Sequence, residues 1–174
     1  MKHPTPLNKA YVKAMALKGA VPFPCEIAGS IRREAKEVGD LDLVVIVPEL
    51  VAHINWARTI LECDLAAAVT SGGPRRASGT VDGYVVNLWC GLPEEAGALL
   101  MYATGPSGYN IYYRKRAKGM GLKLNEKGLF DAHGARIAGA DECSIYTALG
   151  RPWKEPCVRG YKPPPSQRKG VVHE

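Results

Sequence analysis

No apolar run in this sequence reaches the length needed to cross a bilayer, because lysine, arginine, glycine and proline interrupt each one. The opening residues, Met1-Lys2-His3-Pro4, lack the apolar segment of a secretory leader. Cysteine is sparse and unpaired: Cys25, Cys63, Cys90, Cys143 and Cys157 stand singly, with no Cys-x-x-Cys spacing. An odd number of scattered thiols argues against a disulfide framework, and with four equally dispersed histidines it argues against a zinc centre. The expectation from these absences is a cytoplasmic protein with no membrane partner. Internal repeats are missing too, and low complexity is confined to the tail Lys162-Pro163-Pro164-Pro165-Ser166-Gln167-Arg168-Lys169, expected to be extended and flexible over 163–174.

The chain does have an uneven charge. Residues 1–104 carry 10 Lys and Arg against 11 Asp and Glu, and residues 105–174 carry 13 against 6, so the net +6 arises entirely after residue 104. A basic half suits a lobe that grips a polyanion, although solubility alone is the plainer reading of such a surplus. With 174 residues, 46% of them hydrophobic, the chain is long enough for a core and a small appended lobe.

Hydrophobic spacing predicts helices over 5–20, 49–62, 94–102, 107–118 and 141–149. Strands are expected at Glu26–Ala28, Leu43–Val47, Leu65–Val69 and on both sides of Asp82-Gly83, the last a strong hairpin signal. Short strands follow around Gly128 and Gly134, and Ser71-Gly72-Gly73-Pro74 reads as a turn. Gly105-Pro106 is the natural hinge between an α/β core and a basic α+β lobe. Trp56, Trp89 and Trp153 are read as core residues, and Tyr109, Tyr112 and Tyr113 as packing residues of the basic helix.

Chemistry concentrates at Gly29-Ser30-Ile31-Arg32-Arg33 and, seven residues on, Asp40-Leu41-Asp42. On a strand the two acids face one way while Leu41 and Leu43 enter the core. A Gly-Ser turn opening a short helix offers backbone N–H groups and a hydroxyl to phosphate oxygens. An arginine neutralises phosphate bidentately, and paired carboxylates supply the hard oxygens that Mg²⁺ takes. Together they suit a divalent metal carrying a triphosphate.

These motifs, with Tyr102-Ala103-Thr104-Gly105, Leu124-Asn125-Glu126-x-Gly128-Leu129-Phe130 and Ile145-Tyr146-x-x-Leu149-Gly150-x-Pro152-Trp153, resemble the family X DNA polymerases, over roughly residues 25–160. The resemblance implies a nucleotidyltransferase palm with a mixed sheet over 1–104, and a nucleotide-binding helix with a thumb-like lobe over 105–162. It implies two-metal transfer of deoxynucleotides to gaps or 3′ ends of DNA, as in DNA repair, with Mg²⁺ or Mn²⁺ held by Asp40 and Asp42. Gly29, Ser30, Arg33 and Gly39 would serve the phosphates. Tyr102, Gly105 and Asn110 would serve the sugar and nucleotide, while Arg114, Lys115 and Lys118 would face the DNA. A cis Gly105-Pro106 bond is expected at the turn. The protein is expected to act as a monomer, and the compact palm-plus-thumb form, too short for the family's lyase domain, resembles viral or phage members working in the host cytoplasm.

One departure stands out. The family's third carboxylate aligns with Asn87, which offers neither charge nor a basic oxygen. Asp82, on the hairpin turn and an odd number of residues away, is a poor substitute, whereas Glu94 or Glu95 could approach from the following helix. Ala103 stands where the family has an aromatic, and Ser107 where many members have a base-stacking residue. Three functions stay open at this point: a polymerase weakened at Asn87, a catalytically silent DNA-end or nucleotide-binding protein, and untemplated transfer to RNA or protein.

Overall fold

The computed structural model describes residues 4–50 and 54–160. In chain order the elements are β1 (Thr5–Pro6), α1 (Leu7–Ala20), β2 (Cys25–Ile27), α2 (Gly29–Arg32), β3 (Glu37–Val38), β4 (Leu41–Ile46) and α3 (Trp56–Thr59), which runs into a π-helical turn at Ile60–Asp64. There follow β5 (Ala68–Gly72), β6 (Arg76–Val81), β7 (Tyr84–Gly91), a 3₁₀ turn at Pro93–Glu95, α4 (Ala96–Thr104) and α5 (Ser107–Gly119). Last come β8 (Lys123–Asn125), β9 (Gly128–Phe130), β10 (Arg136–Ala138), α6 (Glu142–Ala148) and a 3₁₀ turn at Pro156–Val158. Among the described residues no helix is long and apolar enough to cross a membrane.

Five strands form one mixed sheet in the order β2-β4-β7-β6-β5, with only β4 and β7 parallel. Leu41, Leu43, Val44 and Val45 of β4 are all buried, as expected for a strand covered on both faces. Beneath the sheet, β4 packs with α1 and the Ile60–Leu61 turn in the larger core. Above it, Val44 meets Ala28 and Leu99 of α4. The β6–β7 hairpin turns at Asp82 and Gly83, both at positive φ (48° and 81°), as a two-residue loop of this hand requires. A second core gathers Tyr113, Ala117, Leu129, Ile145, Tyr146 and Leu149 from α5, the β10-β9-β8 sheet and α6, and α4 lends it Ala98 and Met101.

α4 therefore serves the second core and the apolar cluster above the sheet. Its Gly97 and Ala98 amides donate to the Ala140 and Gly139 carbonyls at 3.1 and 2.9 Å. Any side chain on Gly97 would lie 2.1 Å from the Asp141 backbone.

Several sequence expectations need correction. The helix expected over 49–62 is only α3 and the π turn, with Leu50 packing on the core from outside any helix; Val51 lies outside the described residues. The strand expected at Leu65–Val69 begins at Ala68, and Ser71 and Gly72 are strand rather than turn. β1 and β3, paired antiparallel, lack any alternation long enough to announce them. Of the three tryptophans, Trp56 and Trp89 are half-buried and pack against apolar clusters, but Trp153 is 40% exposed. Tyr113 is buried, whereas Tyr112 packs edge to face on it with about half of its surface exposed. The tail over 163–174 lies outside the described residues.

Candidate active site

The site begins with the register of three strands. β4 and β7 pair so that Asp42 lies opposite Asn87, and β7 and β6 pair so that Asn87 lies opposite Ser78. Alternation places Asp40 one step before β4 on the same face as Asp42. The Asn87 amide nitrogen donates to Asp42 Oδ1 at 3.0 Å and Asp40 Oδ2 at 3.2 Å, and Ser78 Oγ donates to Asn87 Oδ1 at 2.7 Å.

The Gly-Ser turn closes on these acids. Ala28 N–H donates to the Asp42 carbonyl at 2.8 Å and brings α2 over the end of β4. Gly29 has φ +59°, and a Cβ there would sit 2.0 Å from Asp42 Oδ2, so the approach requires glycine on both counts. Ser30 Oγ is buried with no hydrogen-bond partner, which suits a hydroxyl reserved for a ligand. Arg33 donates to the Thr104 carbonyl, and burial lowers its pKa against the pull of Asp42 and Asp40. Burial and then the neighbouring Asp40 push the Asp42 carboxyl up to about 6, opposed by the Asn87 hydrogen bond and Arg33.

The far wall comes from α4 and α5, joined through a cis Gly105–Pro106 bond as expected from the sequence. Asn110 Nδ2 donates to the Tyr102 carbonyl at 2.8 Å. The Tyr102 ring meets Trp89 edge to face at 5.4 Å, with the Arg114 guanidinium 5.0 Å from its centroid. Between the walls lies an open cleft of about 530 Å³.

Gly29, Ser30, Arg33, Asp40, Asp42, Tyr102, Gly105, Asn110 and Arg114 all line this cleft, with Asn87 behind the two acids. Gly39 does not; it borders a neighbouring depression beside Asp40. Lys115 and Lys118 are exposed on α5 outside the cleft. Neither glutamate of the 3₁₀ turn supplies a third acid. Glu95 is buried against Arg75 and Arg136, and Glu94 pairs with Arg136. Asp82 pairs with Lys13. Among the described residues no group of three or more His, Cys, Asp and Glu is placed to hold a metal ion.

Two side chains of the sheet also line the cleft, and neither was assigned to it from the sequence. Trp89, two positions after Asn87 and so on its face, lines the cleft, and Arg76, opposite Trp89 in the β6–β7 register, stacks 4.3 Å from its ring centroid. The parity of β7 was the available signal. Arg32 is a different surprise. It turns away from the cleft to grip Glu142 Oε2 at 2.8 Å and Thr104 Oγ1 at 2.8 Å, and Arg159 Nη1 reaches Glu142 Oε1 at 2.7 Å.

Residues 99–160 match the DNA polymerase beta thumb family. The chain is also similar to proteins named repair DNA polymerase X from African swine fever virus. A South African tick isolate and the Badajoz strain are each 35% identical over 108 residues, and a Namibian warthog isolate is 34% identical over 108. Each match covers 59% of this chain and 61% of the relative, so the chain spans about three fifths of the length of the relatives it matches. The motifs, the mixed sheet that carries the paired acids and these two likenesses converge: the chain is similar to the family X DNA polymerases, most plainly over residues 99–160, which match the polymerase beta thumb.

Proposed function

We propose that the protein is a nucleotidyltransferase that adds deoxynucleotides to 3′ ends at gaps in DNA, with residues 1–104 as palm and 105–162 as the nucleotide-binding helix and thumb. The observation that carries this reading is one cleft uniting Ser30, Arg33, Asp40 and Asp42 with Tyr102, Asn110 and Arg114. Ser30, with its unpartnered hydroxyl, and Arg33 bind the triphosphate, and Gly29 lets the backbone approach it. Asp40 and Asp42 fit a divalent cation, Mg²⁺ or Mn²⁺, since crowded carboxylates offer hard oxygens and gain from a positive charge. When bound, that cation neutralises the triphosphate and the charge developing on it during transfer. Tyr102, held by Asn110 and Trp89, faces the sugar, and Arg114 faces the nascent base pair. Gly105, at φ +64°, turns the chain from α4 into α5 beside Arg33. Lys115 and Lys118, exposed on the basic α5, contact the DNA backbone.

A second reading, a silent DNA-end or nucleotide-binding protein, is favoured by one observation. Asn87, standing where the family has its third acid, ties up both aspartates instead of accepting a proton. Losing a positioned base costs about 10²–10⁴ in rate.

Primer extension on a one-nucleotide gapped duplex, in Mg²⁺ and in Mn²⁺, separates the two. Slow incorporation by the native chain, raised at least tenfold by Asn87→Asp, is expected. Failure of the native chain with either metal overturns transfer and leaves the binding protein.

A further inference from the structure

A site that holds two divalent cations for phosphoryl transfer needs anionic oxygens facing both. The donor set here does not fit that requirement. Asp40 and Asp42 are two acids, and the group beside them on β7 presents N–H rather than oxygen. An amide nitrogen has no lone pair to give a metal. Its two hydrogens point at Asp40 Oδ2 and Asp42 Oδ1, and bonds from N–H to a carboxylate are charge-assisted.

The amide cannot change ends without loss. Carboxylates only accept, so the nitrogen must face them while the carbonyl faces away. Ser78 Oγ closes the far side at 2.7 Å, and the strand register fixes Ser78, Asn87 and Asp42 in one row across β6, β7 and β4. Turning the carbonyl toward a cation would break both bonds to the acids. The remaining Asp42 oxygen, Oδ2, lies against Gly29 at the phosphate turn, on the side a triphosphate would occupy.

We propose that this site takes a single divalent cation, delivered with the triphosphate and held by Asp40 and Asp42, and that the Asn87 amide stands in the place of the second. This inference rests on the nucleotide-binding reading above. The amide bridges the two acids and relieves part of their repulsion, so the pair stays in place without a second cation. The site binds a metal–nucleotide complex but is poorly equipped to activate a primer 3′-hydroxyl.

The test counts bound Mn²⁺ by electron paramagnetic resonance. The complex comprises the full chain, a one-nucleotide gapped duplex with an intact 3′-hydroxyl, and a deoxynucleoside triphosphate carrying an α,β-imido bridge. Calorimetry measures nucleotide binding in parallel. The native chain is expected to bind one Mn²⁺ per bound nucleotide, and Asn87→Asp two, with the second at least tenfold tighter than any further Mn²⁺ on the native chain. Two Mn²⁺ per nucleotide on the native chain overturn the proposal and leave nucleotide binding intact. Absence of nucleotide binding removes the reading beneath it and the proposal with it. The native count alone decides the matter should Asn87→Asp fail to fold.

Discussion

Gly29 shows how narrowly a single position can be constrained. Its φ of +59° is costly for other residues, and its missing side chain leaves room for Asp42 Oδ2. Gly29→Ala is expected to cost about 1–3 kcal/mol in stability, the cost of forcing a side chain into the left-handed region. Displacement of Asp42 should also weaken binding of the metal–nucleotide complex. Thermal melting and calorimetry check both, with Gly19→Ala as the control. Gly19 lies in α1 with nothing within 4 Å of a built Cβ, so the control should hold or gain about 0.5–1 kcal/mol. At this scale the sequence was legible wherever spacing alone fixes geometry: Asp40 and Asp42 share a face because a strand alternates. Arg32 was not legible. Nothing local distinguishes it from Arg33, and its partner Glu142 lies 110 residues away.

Among the elements, α2 and α6 are joined by a buried ionic cluster. Arg32 and Arg159 both bind Glu142, whose side chain is 6% exposed, and the Arg159 side chain is fully buried. Burial works to raise the Glu142 carboxyl, and the hydrogen bonds from Arg32 and Arg159 outweigh it and hold it below its usual range. The unfolded chain therefore takes up the proton first as pH falls. The stabilisation is complete above about pH 4.5, the ordinary value, and is lost as pH falls through the depressed folded value. Glu142→Gln leaves two arginines uncompensated and is expected to cost about 3–5 kcal/mol at neutral pH. The gap between native and variant should close as the medium is acidified below pH 4.5, and unfolding by urea across a pH series would show it. A gap independent of pH would mean that packing, and not charge, holds the elements together. Elements were legible in the sequence where the pattern is long, as in α1 and α5. Between residues 49 and 62 the apolar spacing gave a single long helix, whereas the chain spends those residues on a short helix and a π turn. Spacing reports which side is apolar but not how far the hydrogen-bond ladder runs.

For the molecule as a whole, the apolar clusters and the charge asymmetry agree in dividing the chain near α4, and α4 packs both on the sheet, through Leu99, and in the second core, through Ala98 and Met101. Sharing a helix should make the parts melt together. Denaturant unfolding is expected as one transition, coincident whether read near Trp56 in the larger core or near Trp153 beside Glu142. Two separated transitions in single-tryptophan variants would show that the cores are independent. The first amides of α4 find their acceptors at Gly139 and Ala140, some forty residues further along the chain. On a ribosome that emits the chain from its N-terminus, the helix roofing the sheet lacks these partners until the second lobe has emerged. The cover over the five-stranded sheet is completed only when residues 139 and 140 are in place. Pausing of translation before residue 140 should therefore leave the start of α4 without its native acceptors.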